Sequence, residues 1–270
     1  LKHPELESQC DFIFRVDAKK VAAAETVLMP IKDEVMVVTC RAAFSMPLYA
    51  RLIALFPRLI MPNSDSIEWC SNKLAMRRKF RRYFPEITPK FTAVQGAKKD
   101  DVEKVVAKVG FPCIVKPASL AASRLVAVCY HKDELQSTLR KTFRGIRSVY
   151  KQTGALVEPE VIVEQFMEGD MYSIDSYVDN LGQVRHLPAV HVKTGQNIGI
   201  DDFYGYRFLT PTRLTAEEEA KAQDVGRKAV EALSLRACMV HMEFIRLDDS
   251  QWKVLEIDAR MGGHRDFMAR

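Results

Sequence analysis

The strongest constraint on this chain lies near its C-terminal end, where ACMVHMEFIRL (237–247) and WKVLEID (252–258) flank Asp248-Asp249-Ser250-Gln251. Two alternating runs joined by a short polar turn predict an antiparallel hairpin. Glu256 and Asp258 stand two apart on one strand, so their carboxylates share a face, and pairing brings Glu243 beside them. Grouped carboxylates repel and raise one another's pKa, whereas Mg²⁺, with its preference for hard oxygen, turns that repulsion into coordination. The alternative is a solvated outer face of the hairpin, which spacing alone allows equally. Context favours a site. Met242, Phe244, Leu255 and Ile257 assign the opposite face to a core, and Arg260-Met261-Gly262-Gly263-His264 follows as a flexible cationic turn.

The 270 residues suffice for about two domains with buried cores. Hydrophobic residues at 47% and charged residues at 28% are ordinary globular usage, and the 12 Gly and 12 Pro form no low-complexity run, which excludes a disordered or fibrous chain. The net charge of +5 is too small and too mixed to indicate nucleic acid. Leu48 to Met61 is interrupted by Arg51, Pro57 and Arg58, so no membrane span is expected. Cys10, Cys40, Cys70, Cys113, Cys129 and Cys238 contain no C-x-x-C pair, which fits a reducing, cytoplasmic setting. The chain opens on Leu with no apolar targeting segment, and the expectation is that part of the native N-terminus is missing.

Along the chain, EVMVVTC (34–40) and RLIMP (58–62) flank a helical pattern around Leu48 to Phe56, predicting a small β-α-β unit over residues 1–65. Ser66 to Phe84 reads as one helix with a basic face of Arg77, Arg78, Lys79, Arg81 and Arg82. From Lys90 the order is strand, helix (Asp100 to Val109), strand, loop and strand, followed by a helix from Lys132 to Tyr150. VIVEQF and YSIDSYV read as strands about a Glu168-Gly169-Asp170 hinge, and a further strand spans Val184 to Val192. The 194–207 loop has the length of a lid, and Thr215 with Glu218 forms a capping box for a helix from Ala216 to Leu233. No solenoid repeat is visible.

Lys116 ends the apolar run Phe111 to Val115 and is followed by Pro117, so its ammonium emerges at a strand end beside the small-residue loop Ala118 to Ser123. That loop offers backbone N–H groups and the hydroxyls of Ser119 and Ser123 as an anion cradle, although it lacks glycine. A strand-terminal lysine reaching solvent is the plain alternative. Glu164, before a polar hinge, is suited to accept from an adenine amino group, or to serve as an ordinary edge-strand Glu.

Taken in order, NKLAMR, GFPCIVKPA, VIVEQFMEGDMYSID, MVHMEF and VLEIDARMGG resemble the ATP-grasp superfamily of carboxylate–amine ligases, from Ser66 to the C-terminus. The chain is similar in this to L-amino acid ligases and to biotin-carboxylase-like ATP-grasp domains. The resemblance implies an α/β fold. Two α+β lobes, one around 90–160 and a C-terminal one over 161–270, would make an ATP-grasp domain over 66–270, preceded by a small, incomplete Rossmann-like α/β domain. It implies nucleotide-binding roles for Lys73 and Lys116, for the loop carrying Ser119 and Ser123, and for Glu164 with Gln165, Phe166 and Met167. Met171 stands where many relatives carry a ribose-binding Glu, and Asp170 is the substitute. Glu243, Glu256 and Asp258 match the ligands of Mg²⁺, for which Mn²⁺ can substitute, and Asp258 replaces the commoner Asn. Arg260 matches the Arg that steadies the transferred phosphoryl group.

The implied activity is an ATP-dependent ligase that forms an amide or peptide bond through an acyl phosphate, with a small carboxylate and an amine as substrates. His191, Lys193 and Arg207, near the 194–207 loop, are the candidates for holding a substrate carboxylate. The absence of a G-x-S-x-G elbow or a Cys-His pair accords with chemistry that needs no protein nucleophile. The alternatives are a carboxylase or carbamoyl-phosphate-type ATP-grasp enzyme and a non-catalytic ATP-binding sensor. A homodimer is expected by analogy; a membrane or nucleic-acid partner is not.

Overall fold

In the computed structural model, which describes residues 8–15, 21–120, 124–153, 157–200 and 202–263, the alternating runs assemble into two antiparallel sheets facing one cleft. The first sheet has the order β1-β4-β2-β3, with β1 Phe91–Val94, β2 Cys113–Pro117, β3 Ala127–Cys129 and β4 Val161–Gln165. The second has the order β10-β9-β5-β7-β8, with β6 paired to β5; its members are β5 Gly169–Val178, β6 Val184–His186, β7 Val190–Thr194, β8 Gly205–Leu209, β9 Cys238–Leu247 and β10 Trp252–Asp258. Val161–Gln165 pairs with β1 and β2, so the change of sheet falls after Gln165 and not at residue 160 as expected.

Period-2 alternation assigns the two faces of each sheet. In β2, Cys113 and Val115 enter a core with Val102 and Val105 of α5 (Lys99–Lys108) and Leu135, Leu139 and Ile146 of α6 (Lys132–Thr153). Ile114 and Lys116 therefore face the cleft. In the second sheet, Tyr172, Ile174, Met242 and Phe244 join a core with Ala222, Ala229 and Val230 of α7 (Ala216–Ala232). Ser173, Glu243 and Ile245 face the cleft. The Thr215–Glu218 capping box forms as expected.

The expected β-α-β unit does not form: 34–40 and 58–62 carry no strand. Among the described residues, this region carries α1 Val21–Leu28 and α2 Met46–Ile53, with 3-10 turns at Met29–Ile31 and Ala43–Ser45, and Met46, Tyr49, Ala50 and Ile53 of α2 join the core of the second sheet. A strand needs a partner for its ladder, and side-on burial of Val38, Cys40 and Met61 against that core takes the place of pairing. The single helix expected over 66–84 is two, α3 Ser64–Ser71 and α4 Lys73–Tyr83, broken where Asn72 leaves helical geometry at φ −128°, ψ 106°. The strand expected from Val184 to Val192 is likewise divided around Leu187-Pro188-Ala189, and part of the expected 194–207 loop is strand β8.

Asn72 caps α4: its side-chain oxygen accepts from the backbone N–H of Leu74 at 2.9 Å and Ala75 at 3.1 Å, while Nδ2 donates to Glu160 at 2.8 Å. Asn72→Ala is expected to cost about 1 kcal/mol, lowering Tm by roughly 2–4 °C in a domain of this size. Thermal denaturation checks this, and an unchanged Tm would show that the break needs no cap.

Candidate active site

A cavity of about 650 Å³ lies between the sheets. Its charged wall begins on α4, where Lys73, Leu74, Met76, Arg77 and Phe80 form one buried stripe. Arg77, expected on the basic face of a helix, is fully buried. It donates from Nε to Glu164 Oε1 at 2.8 Å and from Nη2 to Oε2 at 3.3 Å. Its other bonds reach the carbonyls of Val254 at 2.7 Å and Leu255 at 2.9 Å. Two consecutive carbonyls are within reach because β10 bulges there, with Val254 opposite Phe244 and Glu256 opposite Glu243. The bulge also corrects the expectation for Leu255, which lines the cavity beside Glu256 instead of entering the core.

Lys116 donates to Glu164 Oε2 at 2.6 Å. Burial opposes ionisation of Glu164, but the Arg77 and Lys116 cations prevail and hold its carboxyl down at about 2. Burial keeps the Lys116 ammonium below the ordinary lysine range despite Glu164, with Arg77 adding to the depression. The carboxylate of Glu164 is thus buried and engaged by two cations, which argues against its expected bond to an adenine amino group.

The three hairpin carboxylates line the cavity, but each turns to a cation. Glu256 accepts from Lys73 Nζ at 2.7 Å, Asp258 from Arg260 Nη2 at 2.5 Å, and Glu243 Oε1 lies 3.4 Å from His241 Nε2. Among the described residues no three His, Cys, Asp or Glu side chains are arranged to hold a metal ion, so the expected convergence is replaced by ion pairing that relieves the same repulsion. Burial works against the charge of Lys73, but Glu256 raises it above the ordinary range. Burial, then the neighbouring Glu256 charge, pushes Asp258 up to about 6. The donors themselves, three carboxylates lining one cavity, are of the hard-oxygen type a divalent cation takes, although in this structure they are turned to their cation partners.

Sequence reasoning missed His241 and Asp175. Asp175, fully buried, receives His241 Nδ1 at 2.5 Å on one oxygen and the Gly262 N–H at 3.0 Å on the other. Burial disfavours the imidazolium, yet its bonds to Asp175 and Glu243 raise it to about 10. A Cβ at Gly262 would lie 2.5 Å from His241 Nδ1, so only glycine allows this approach. The signal for His241 was available in MVHMEF, where it alternates in phase with Glu243.

Gln165, Phe166 and Met167 line the cavity, whereas Ser119 does not, and Ser123 lies outside the described residues. Asp170, His191, Lys193 and Arg207 were expected at the site and are absent from its walls. Met171, Ser173, Val190, Val192 and Phe208 occupy the inward phase of their strands, so the residues between them point to the other face of the sheet. There Asp170 accepts from Lys193 at 3.2 Å and lies 3.3 Å from His191 Nε2, and Arg207 is opposite Lys193.

A family model of the ATP-grasp domain matches residues 109–266, more than half of the chain. The chain belongs to the ATP-grasp family. The chain is similar to uncharacterized protein y4rH of Sinorhizobium fredii, 29% identical over 209 residues, which cover 76% of this chain and 39% of that protein. It is also similar to the alanine–anticapsin ligase of Bacillus subtilis, 26% identical over 174 residues, 61% of this chain and 36% of the ligase. The chain therefore spans about two fifths of the length of these curated relatives. Among solved structures, the L-amino acid ligase of Bacillus licheniformis has the same fold, with a TM-score of 0.74 and 22% identity over 90% of this chain and 56% of that one.

Because the folded pKa of Glu164 is depressed from 4.5 to about 2, it contributes stability that is present above about pH 4.5 and lost as pH falls towards 2. Denaturant unfolding of this ATP-grasp chain at pH 6, 4.5 and 3 is expected to show that loss. Glu164→Gln is expected to flatten it; equal slopes in the two proteins would contradict the assignment.

Proposed function

We propose that the cavity takes ATP with a divalent cation, and that the protein is an ATP-dependent ligase joining a small carboxylate to an amine through an acyl phosphate. The observation that carries this reading is Arg260, which lines the cavity with a buried Nε–H that has no acceptor among the described residues. Trp252 Nε1 is also buried without a partner, but in the core, whereas Arg260 faces the cavity, where a phosphoryl or carboxylate oxygen suits its guanidinium. Lys73 and Lys116 supply further cations for a triphosphate. The base is read by the cavity-lining segment Gln165 to Met167, since the Glu164 carboxylate is engaged. Glu243, Glu256 and Asp258 would hold Mg²⁺, which neutralises charge on the transferred phosphoryl group when bound.

In this mechanism the chain's residues position and stabilise. Arg260 holds the oxygens of the moving phosphoryl group through donors not committed to Asp258. Phe203, from the 194–204 segment, sits edge-on to Phe166 at 6.3 Å between ring centroids, where it helps to exclude water from the acyl phosphate. The ligase names of the relatives, alanine–anticapsin ligase and L-amino acid ligase, support an amino acid as one substrate.

The Arg260–Asp258 bond favours one rival, an ATP-binding sensor in which Arg260 is a structural cation. Release of ADP against a panel of amino acids, with carboxylate and amine varied separately, decides between them. The ligase reading expects substrate-stimulated ADP release and an Arg260→Lys protein with kcat lowered about 100-fold and ATP affinity within about threefold of wild type. No substrate-stimulated release, or parallel loss of affinity and Tm, would favour the sensor.

A further inference from the structure

Among the described residues, two of the site's cations pair one to one with a carboxylate: Lys73 with Glu256 and Arg260 with Asp258. Lys116 differs. Its carboxylate, Glu164, is shared with Arg77, which takes Oε1 with Nε and reaches Oε2 with Nη2. The side chains of Arg77 and Glu164 are 0% exposed and that of Lys116 6%, so water screens this charge imbalance little. Two cations on one anion leave an excess positive charge. Arg77 is not among the cavity-lining residues and spends its remaining bonds on Val254 and Leu255, whereas Lys116 lines the cavity.

The geometry points to Arg77 as a positioning residue that keeps Lys116 available for a phosphate by taking up the charge of Glu164. This rests on the nucleotide reading above. Without Arg77, Glu164 and Lys116 form a closed one-to-one pair, and an incoming phosphate must compete with a buried carboxylate for the ammonium. Arg77 thereby acts on the ligand from behind the cavity wall. A purely structural Arg77, fastening β4 to the β10 bulge, has no such consequence for Lys116.

The test is a cycle of affinities for MgATP, measured calorimetrically on the whole protein alongside Tm. Arg77→Met is expected to weaken MgATP binding about tenfold or more, the scale of one charge-assisted hydrogen bond. Arg77→Met/Glu164→Gln removes the competing carboxylate as well and is expected to return to within about threefold of wild type. Arg77→Lys retains a counter-charge and is expected to keep affinity within about threefold while losing Tm, because the bonds to the Val254 and Leu255 carbonyls are weakened. Unchanged affinity in Arg77→Met, or a double variant as weak as the single, overturns the inference and leaves Arg77 a structural residue. Should Arg77→Met fail to fold, wild-type affinity in Arg77→Lys and in the double variant supports the inference, and a tenfold loss in either overturns it. A wild type that binds no MgATP removes the nucleotide reading itself, a result distinct from a cycle that fails on a wild type that binds.

Discussion

One buried ion pair, Arg77 with Glu164, ties the first sheet to the second across the cavity. Taking two charges out of water is costly, and their attraction compensates only if the remaining donors and acceptors are also satisfied. Here they are: Glu164 receives Lys116 as well, and Arg77 bonds two carbonyls of β10. Removing one partner of such a pair costs about 3–5 kcal/mol, because the other is left buried and uncompensated. The pair connects β4 of the first sheet, through α4, to the bulge of β10 in the second. The walls of the cavity are thereby held in register by polar contacts where an apolar core would leave no room for a charged ligand.

The remaining charges follow from that frame. The bulge turns Leu255 and Glu256 towards the cavity in succession, and Glu256 meets Lys73, one turn before Arg77 on α4. Gly169 permits the chain to cross between the sheets against β9: at φ +153°, a Cβ there would lie 2.1 Å from the Arg246 carbonyl oxygen. In the proposed function, a triphosphate and a metal ion exchange partners with groups that are already paired, the carboxylates passing from protein cations to the metal and the cations to phosphate. Such an exchange keeps the buried charges compensated with the ligand bound or absent.

Much of this was legible in the sequence because strand alternation and hairpin chemistry are local. The C-terminal hairpin, the strand carrying Lys116 and the capped α7 were each readable from a short window. What was not legible depends on tertiary contact. The phase of β5 and β7 decides whether Met171 or Asp170, and Val192 or Lys193, faces the cavity, and polar residues on both phases made the wrong set attractive. The β10 bulge, which moves Leu255 from core to cavity, leaves no mark that alternation can detect. Arg77 was hidden within a run of basic residues, although its place four residues after Lys73 among Leu74, Met76 and Phe80 was a usable signal. The N-terminal runs had strand composition but pair with no strand among the described residues, so composition misled there.

The central claim, that this cleft is a nucleotide site whose paired charges are exchanged for ligand, is tested most directly by a crystal structure with a non-hydrolysable ATP analogue and Mg²⁺. The expected result has the triphosphate between Lys116 and Arg260, the metal on Glu243, Glu256 and Asp258, and Lys73 drawn from Glu256 to phosphate, with the Arg77–Glu164 pair intact. A nucleotide bound outside the cleft, or inside it with Lys73–Glu256 and Arg260–Asp258 unchanged and the metal elsewhere, would contradict it.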